Sequence, residues 1–369
     1  DTILIEKSKE MYGGTCINVG CIPSKKLATK ALRKQYSNED ASSYYTKSVQ
    51  EKKALIAALN TANYNKVDSV EKTQIIDGTA RFVDDHTVAV DTAEGEKLFK
   101  ADRIFINTGA TPFVPPVEGL TIGGAIHTSE TIMNLEEYPE SLVIIGSGFI
   151  GLEFAATYAQ FGTKVTVIDV IDAFLPREDE DVAQAVKEQL EALGVTFNLG
   201  VQLKAVHQEG GKAVVEATTG EGAPAAFTAD AVLVATGRRA NVQGLDLDKA
   251  GVELTERGAI KVNEFLQTNV PHIFAMGDVN GGPQFTFVSL DDFRIVKRFL
   301  AGDTTYSTKQ RAKFPTATFI NPPLASVGLN EKQAKEAGIE VKVAKLPAMA
   351  IPKAKILGNQ VGFYKVLVD

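Results

Sequence analysis

The sequence predicts an α/β protein built from two doubly wound domains with parallel sheets and a smaller α+β segment behind them. Three observations carry this. Short apolar runs, 2–6 and 142–145, are followed by helical patterns in the manner of buried parallel strands. The second run leads directly through a glycine turn, Gly146-Ser147-Gly148-Phe149-Ile150-Gly151, into a helix. Phe314 onward reads as a mixed α/β segment with a helix near 331–337 and a closing strand-like run over 362–368. At 369 residues and 44% apolar, the chain can fill a core for each of two or three domains.

Taken in order, Thr2-Ile3-Leu4-Ile5-Glu6 reads as a strand, and a turn holding both cysteines of the chain comes next. A helix is expected over 23–35 and another around 49–64, then strands at 73–76, 80–83, 87–90 and 103–107. Thr111-Pro112-Phe113-Val114-Pro115-Pro116 cannot continue a helix and marks a plausible domain boundary. In the next segment, strand 142–145 enters the glycine turn. The helix after it repeats Leu152, Phe154, Ala155, Tyr158 and Ala159 until Gly162 ends it. A strand over 164–169 closes with Asp169, 23 positions beyond Gly146. A lone GxGxxG is weak. With a strand before it, a helix after it and an acidic residue at this spacing, it marks a Rossmann-like dinucleotide site in which Gly146, Gly148 and Gly151 let a pyrophosphate approach the backbone. A helix over 181–193, strands at 203–208, 212–217 and 225–228, and the apolar run 231–236 follow.

The chemistry-bearing residues begin with Cys16 and Cys21, in Gly13-Gly14-Thr15-Cys16-Ile17-Asn18-Val19-Gly20-Cys21-Ile22-Pro23-Ser24-Lys25. A helix starting near Cys21 aims unpaired N–H groups and its positive dipole end at the thiols, which favours thiolate, the reactive form. A structural disulfide or two inert thiols would be the plainer account; no export leader is apparent, and reducing compartments disfavour a structural bridge. Lys25, one helical turn on, could hold negative charge on a neighbouring group. Glu6 and Asp169 each end a strand where a carboxylate can accept hydrogen bonds from ribose hydroxyls. A carboxylate at 169 also repels the 2′-phosphate of NADP, so NAD(H) is expected in preference to NADP(H).

The cysteine segment resembles the redox-active signature GGTCxNxGCxPSK of the flavoprotein pyridine nucleotide-disulfide oxidoreductases, the family of lipoamide dehydrogenase, glutathione reductase and mercuric reductase. The resemblance runs from Asp1 to Asp369. Within the family, Gln284-Phe285-Thr286-Phe287-Val288-Ser289-Leu290-Asp291-Asp292-Phe293-Arg294 is most similar to the bacterial branch of reactive-chlorine-resistance and hypothiocyanous acid reductases. The resemblance implies an FAD-binding domain over 1–115 and 242–312, an NAD-binding domain over 116–241 and a dimerisation domain over 313–369. It implies that Cys21 lies against the flavin, that Cys16 meets the substrate, and that Glu153, near the flavin–nicotinamide contact, is the partner of a functional Lys25. FAD would be held by Glu6, Gly14, Thr15, Lys25, Gly109 and Asp278, the last ending the Gly277-Asp278 motif. Gly237 would meet the nicotinamide nucleotide together with Gly146, Gly148, Gly151 and Asp169.

The activity so implied is an NAD(P)H-dependent FAD oxidoreductase whose Cys16–Cys21 disulfide reduces a small oxidised substrate, hypothiocyanous acid or a related reactive oxidant. A lipoamide or other disulfide reductase, a mercuric or copper ion reductase, and a non-catalytic nucleotide-binding remnant are the alternatives. The active site would be completed across a homodimer, by a His-Pro motif expected beyond Asp369. Likewise the first strand, glycine turn and helix of the opening βαβ unit are expected before Asp1. None of His86, His127, His207 and His272 matches that motif, and no Cys/His cluster has metal-ligand spacing. Net charge −7, without a basic run, argues against nucleic acid, and no stretch of about 18 apolar residues suggests a membrane span. A cytoplasmic location is the expectation.

Overall fold

The computed structural model describes all 369 residues, which fall into two compact units. One comprises 1–23, 52–113 and 238–312; the other comprises 24–51, 114–237 and 313–369.

In the first unit, Thr2–Glu6 pairs in parallel with Thr73–Asp77, and Ile273–Ala275 in parallel with Ile104–Ile106. An antiparallel three-stranded sheet of Thr79–Phe82, Thr87–Thr92 and Gly95–Lys100 stands beside them in sequence. The last of these strands was not expected, because Gly-Glu-Lys-Leu-Phe-Lys is exposed along most of its length and has no alternating apolar face to announce it. Phe82, Ile106, Ile260, Ile273 and Val279 close one core, and Leu266, Phe274, Ile295 and Val296 another.

The second unit holds a parallel sheet of five strands in the order Thr196–Asn198, Lys164–Ile168, Ser141–Ile145, Ala231–Val234, Ile126–Thr128. All but one residue of Ser141–Ile145 and all of Ala231–Val234 are buried, as central parallel strands must be. Helices Phe149–Phe161 and Glu180–Ala192 pack through Leu152, Phe161, Val186 and Leu190, and Leu27, Tyr45 and Val49 join the same core. A three-stranded antiparallel sheet, Gln202–Glu209, Lys212–Thr218 and Pro224–Ala229, covers the other side through Val206 and Val215. After residue 313 come two antiparallel pairs, Thr316–Thr318 with Leu324–Ser326 and Lys342–Pro347 with Phe363–Val368. Between them, helix Glu331–Glu336 starts with a capping box made by Asn330 and Gln333.

Three α-helices had no counterpart in the expected elements: the five-residue Gly14–Asn18 and Pro352–Ile356, and the much longer Thr286–Leu300. Thr286–Leu300 opens on Thr-Phe-Val, residues of poor helix propensity, yet buries Val288, Asp292, Ile295 and Val296 at helical spacing.

Candidate active site

Cys16 lies in the short helix Gly14–Asn18 and Cys21 is the first residue of helix Cys21–Arg33. Gly13 and Gly14 have φ of +95° and +75°, the left-handed conformation that lets the chain turn sharply after Tyr12. Gly20 serves close packing: a Cβ there would come within 2.9 Å of the Thr15 carbonyl oxygen. Asn18 is buried beneath the turn, its amide donating to the carbonyls of Tyr12 and Gly14, and Asn60 donates to Asn18 Oδ1. The two thiols are unbridged, Cys16 half-buried and Cys21 exposed.

Cys21 Sγ stands 3.8 Å from Oγ1 of Thr286, the residue that begins helix Thr286–Leu300. Two helix N-termini therefore meet this sulfur, its own and that of the 15-residue helix, and both dipoles favour the thiolate. The sequence marked 284–294 only as a likeness; its place beside Cys21 is a property of the fold.

Thr15 and Gly109 approach each other. A Cβ on Gly109, at φ +71°, would meet only Thr15 Oγ1, at 3.7 Å, and one on Gly14 would meet nothing within 4 Å. This is bare backbone facing open space, as close approach by a planar ring system requires. Gly277, also at positive φ, is held from below. Its N–H donates to Oδ2 of Asp292 at 2.8 Å, Asn280 donates to the same oxygen at 3.1 Å, and Arg311 bonds the other oxygen. Asp292 is 2% exposed, and this support of the Gly277-Asp278 turn was not foreseen. Burial raises the pKa of Asp278, the Arg238 guanidinium opposes the rise and Asp292 adds to it. Glu6 accepts the Ser8 N–H at 3.0 Å, which fixes its carboxylate at the end of strand Thr2–Glu6.

In the second unit, Lys25 Nζ lies 2.5 Å from Oε2 of Glu153 and 4.5 Å from the centre of the Phe319 ring. Glu153 Oε1 accepts the Phe319 N–H at 2.8 Å. One carboxylate thus holds the ammonium and the backbone that carries the ring beneath it. The expected Lys25–Glu153 pair is formed; Phe319 was missed, because nothing local to Thr318-Phe319-Ile320 distinguishes it from a strand aromatic. Lys26 pairs with Glu51 at 3.3 Å, a part-exposed pair of small energetic weight.

The glycine turn has the geometry of a dinucleotide site. Gly146 sits at φ +110°, and a Cβ there would lie 2.5 Å from the Ala235 carbonyl oxygen. A Cβ on Gly151 would lie 2.1 Å from the Gly146 carbonyl oxygen, so strand and helix can touch only through glycine. Gly148, the residue before helix Phe149–Phe161, has nothing within 4 Å of its Cβ position and offers no side-chain cap. The first N–H groups of that helix are left for an anion. Asp169 is already engaged: Oδ2 accepts both the N–H and the hydroxyl of Ser147 at 2.6 Å, and Oδ1 accepts the Ile171 N–H at 3.0 Å. It ties the glycine turn to the next strand, and lone pairs remain for a ribose. Gly237, at φ +109°, is likewise open.

Two Rossmann-type frames, a paired-thiol turn at a helix N-terminus and backbone cradles shaped for flavin and nicotinamide nucleotides define an oxidoreductase of the flavin–disulfide class. The chain belongs to the pyridine nucleotide-disulphide oxidoreductase family, whose model matches residues 1–292, with the family's dimerisation domain over 314–369. Among its relatives, a protein of Escherichia coli (strain K12) described as "Probable pyridine nucleotide-disulfide oxidoreductase RclA" is 39% identical over 366 residues, 99% of this chain and 80% of the relative. A dihydrolipoyl dehydrogenase of Mycobacterium bovis is 34% identical, covering 97% and 78%, and a mercuric reductase of Staphylococcus aureus is 33% identical, covering 97% and 66%. A solved structure described as a Cu(II) complex of the HOCl-induced flavoprotein disulfide reductase RclA from Escherichia coli superposes with a TM-score of 0.93 at 39% identity, over 100% of this chain and 80% of that one. The chain is thus an NAD(P)H-dependent, FAD-containing disulfide oxidoreductase with a dimerisation domain. No helix is long and apolar enough to cross a membrane.

Proposed function

We propose that this protein uses NADH to reduce a small reactive oxidant, hypothiocyanous acid or a close chemical relative, through Cys16 and Cys21. The observation that carries the reading is the 39% identity to RclA across 99% of the chain, since the solved relative is described as HOCl-induced. Segments 1–115 and 242–312 would bind FAD, 116–241 NAD(H), and 313–369 would form a homodimer whose partner completes the site, in the cytoplasm.

When bound, FAD supplies the route by which reducing equivalents from the nicotinamide reach the disulfide. Glu6, Gly14, Thr15, Lys25, Gly109 and Asp278 would hold it. The Cys16 thiolate attacks the electrophilic sulfur of HOSCN, forming Cys16–S–SCN, and the departing hydroxide takes a proton to become water. Cys21 thiolate then attacks the Cys16 sulfur; the disulfide forms and thiocyanate leaves. Thiocyanate is a stable anion, so the second step needs little acid catalysis. The two helix N-termini at Cys21 favour the anionic form required of the thiols.

The test is NADH oxidation by the flavin-loaded protein with hypothiocyanous acid, run beside oxidised lipoamide and glutathione disulfide. Fast turnover with the first alone is expected; activity only on a disulfide would overturn the substrate assignment and leave the family standing. The dihydrolipoyl dehydrogenase relatives make that the second reading.

Cofactor choice is tested separately. Asp169→Ala is expected to lower kcat/KM for NADH by about tenfold or more while NADPH loses less or gains, because a ribose acceptor and a repulsive charge vanish together. Equal losses for both cofactors would mean that Asp169 acts only as the anchor of Ser147.

A further inference from the structure

Outside the cysteine site, two clusters bring metal-ligating side chains together. Asp179, Asp181 and Glu331 already enclose the Lys365 ammonium, which occupies the place of a cation. The other cluster, Asp85, His86 and His272 in the first unit, has no such occupant.

His86 and His272 stack face to face, ring centres 3.9 Å apart and planes within 3° of parallel. Each ring is fixed by a backbone carbonyl: His86 Nδ1 lies 2.8 Å from the Ala101 oxygen, and His272 Nε2 lies 2.7 Å from the Asp85 oxygen. A carbonyl only accepts, so both bonded nitrogens carry hydrogen, and the lone pairs of the neutral rings sit on His86 Nε2 and His272 Nδ1. Backbone anchoring of one nitrogen is how ligating imidazoles are usually oriented. One ligand atom from each ring and one carboxylate oxygen of Asp85 lie within 4.8 Å of one another. The loop beneath is held in turn, with Asp84 Oδ1 accepting the N–H groups of His86 and Thr87.

We propose that His86, His272 and Asp85 form a surface site for a divalent transition-metal ion of the imidazole-binding kind, separate in sequence from the redox cysteines. Two imidazoles and a carboxylate, with solvent completing the shell, suit such ions. With metal–nitrogen distances of about 2.0–2.1 Å, a tetrahedral ion sets its two nitrogens roughly 3.3 Å apart, inside the 4.8 Å within which the candidate ligand atoms lie. The ring planes are parallel, so capture of one ion by both imidazoles requires the rings to tilt apart while both carbonyl bonds persist.

Zn2+ is the probe, titrated calorimetrically into flavin-loaded protein carrying Cys16→Ser and Cys21→Ser, so that thiolates do not compete. A saturable site is expected, weakened about tenfold or more by His86→Gln and by His272→Gln, each of which keeps an amide donor for the same carbonyl. Asp85→Asn, which alters only an exposed carboxylate, is expected to weaken it as well and covers the case in which a histidine variant loses its flavin. No Zn2+ binding by the cysteine-free parent, or the same affinity in all three variants, would overturn the proposal.

Discussion

Replacing Cys16 with serine is expected to stop substrate reduction, by on the order of a thousandfold or more, while flavin stays bound and is still reduced by NADH. A hydroxyl in place of the thiol is not ionised near neutral pH and cannot attack an electrophilic sulfur, whereas the cysteine site offers helix dipoles that stabilise a thiolate. Cys16 is half-buried on its short helix, so exchanging sulfur for oxygen should leave the turn held by Asn18 and Asn60 intact. The paired observables are steady-state turnover with hypothiocyanous acid and bleaching of the flavin band on mixing with NADH. Turnover unchanged in the variant would sink the assigned role, and a colourless variant would place Cys16 in flavin retention instead.

Lys365→Met should cause the largest loss of stability. The Lys365 side chain is 8% exposed and its ammonium bonds Asp179 and Asp181, each at 2.9 Å, and Glu331. This ties strand Phe363–Val368 to the start of helix Glu180–Ala192 and to helix Glu331–Glu336. Of the three carboxylates only Asp179 is buried, Asp181 and Glu331 being 32% and 46% exposed, so solvent screens part of the loss and removing the ammonium costs about 1–3 kcal/mol. A fall of roughly 2–6 °C in the thermal midpoint of the flavin-loaded protein is the expected size. A midpoint within a degree or so of the parent would refute the cluster's importance.

The same cluster sets an acid limit. Burial by itself would raise Asp181, but bonds to Lys345 and Lys365 outweigh it and bring its pKa down to about 2; Asp179 is lowered by Lys365 and by the N–H groups of Glu331 and Lys332. A carboxylate depressed in the folded state contributes stability above its unfolded value of 3.8 and loses it as pH falls through the folded value. Parent stability should therefore fall between about pH 4 and pH 2, and Lys365→Met should show less of that fall.

Much of this protein could be read from local pattern. The strand Thr2–Glu6, the glycine turn with its helix and Asp169, and the cysteine turn at a helix N-terminus all declare themselves within a few residues, because each depends on short-range sterics and hydrogen bonding. The pairing of Lys25 with Glu153 needed the family likeness, since 128 residues separate them. What only the tertiary structure decided are contacts that no spacing encodes: Phe319 beneath Lys25, Thr286 beside Cys21, Asp292 under Gly277, Lys365 among three carboxylates, and His86 stacked on His272. Each joins groups from segments brought together by sheet pairing and core packing. Local sequence sets which groups can bond, and the burial that excludes water sets which of them do.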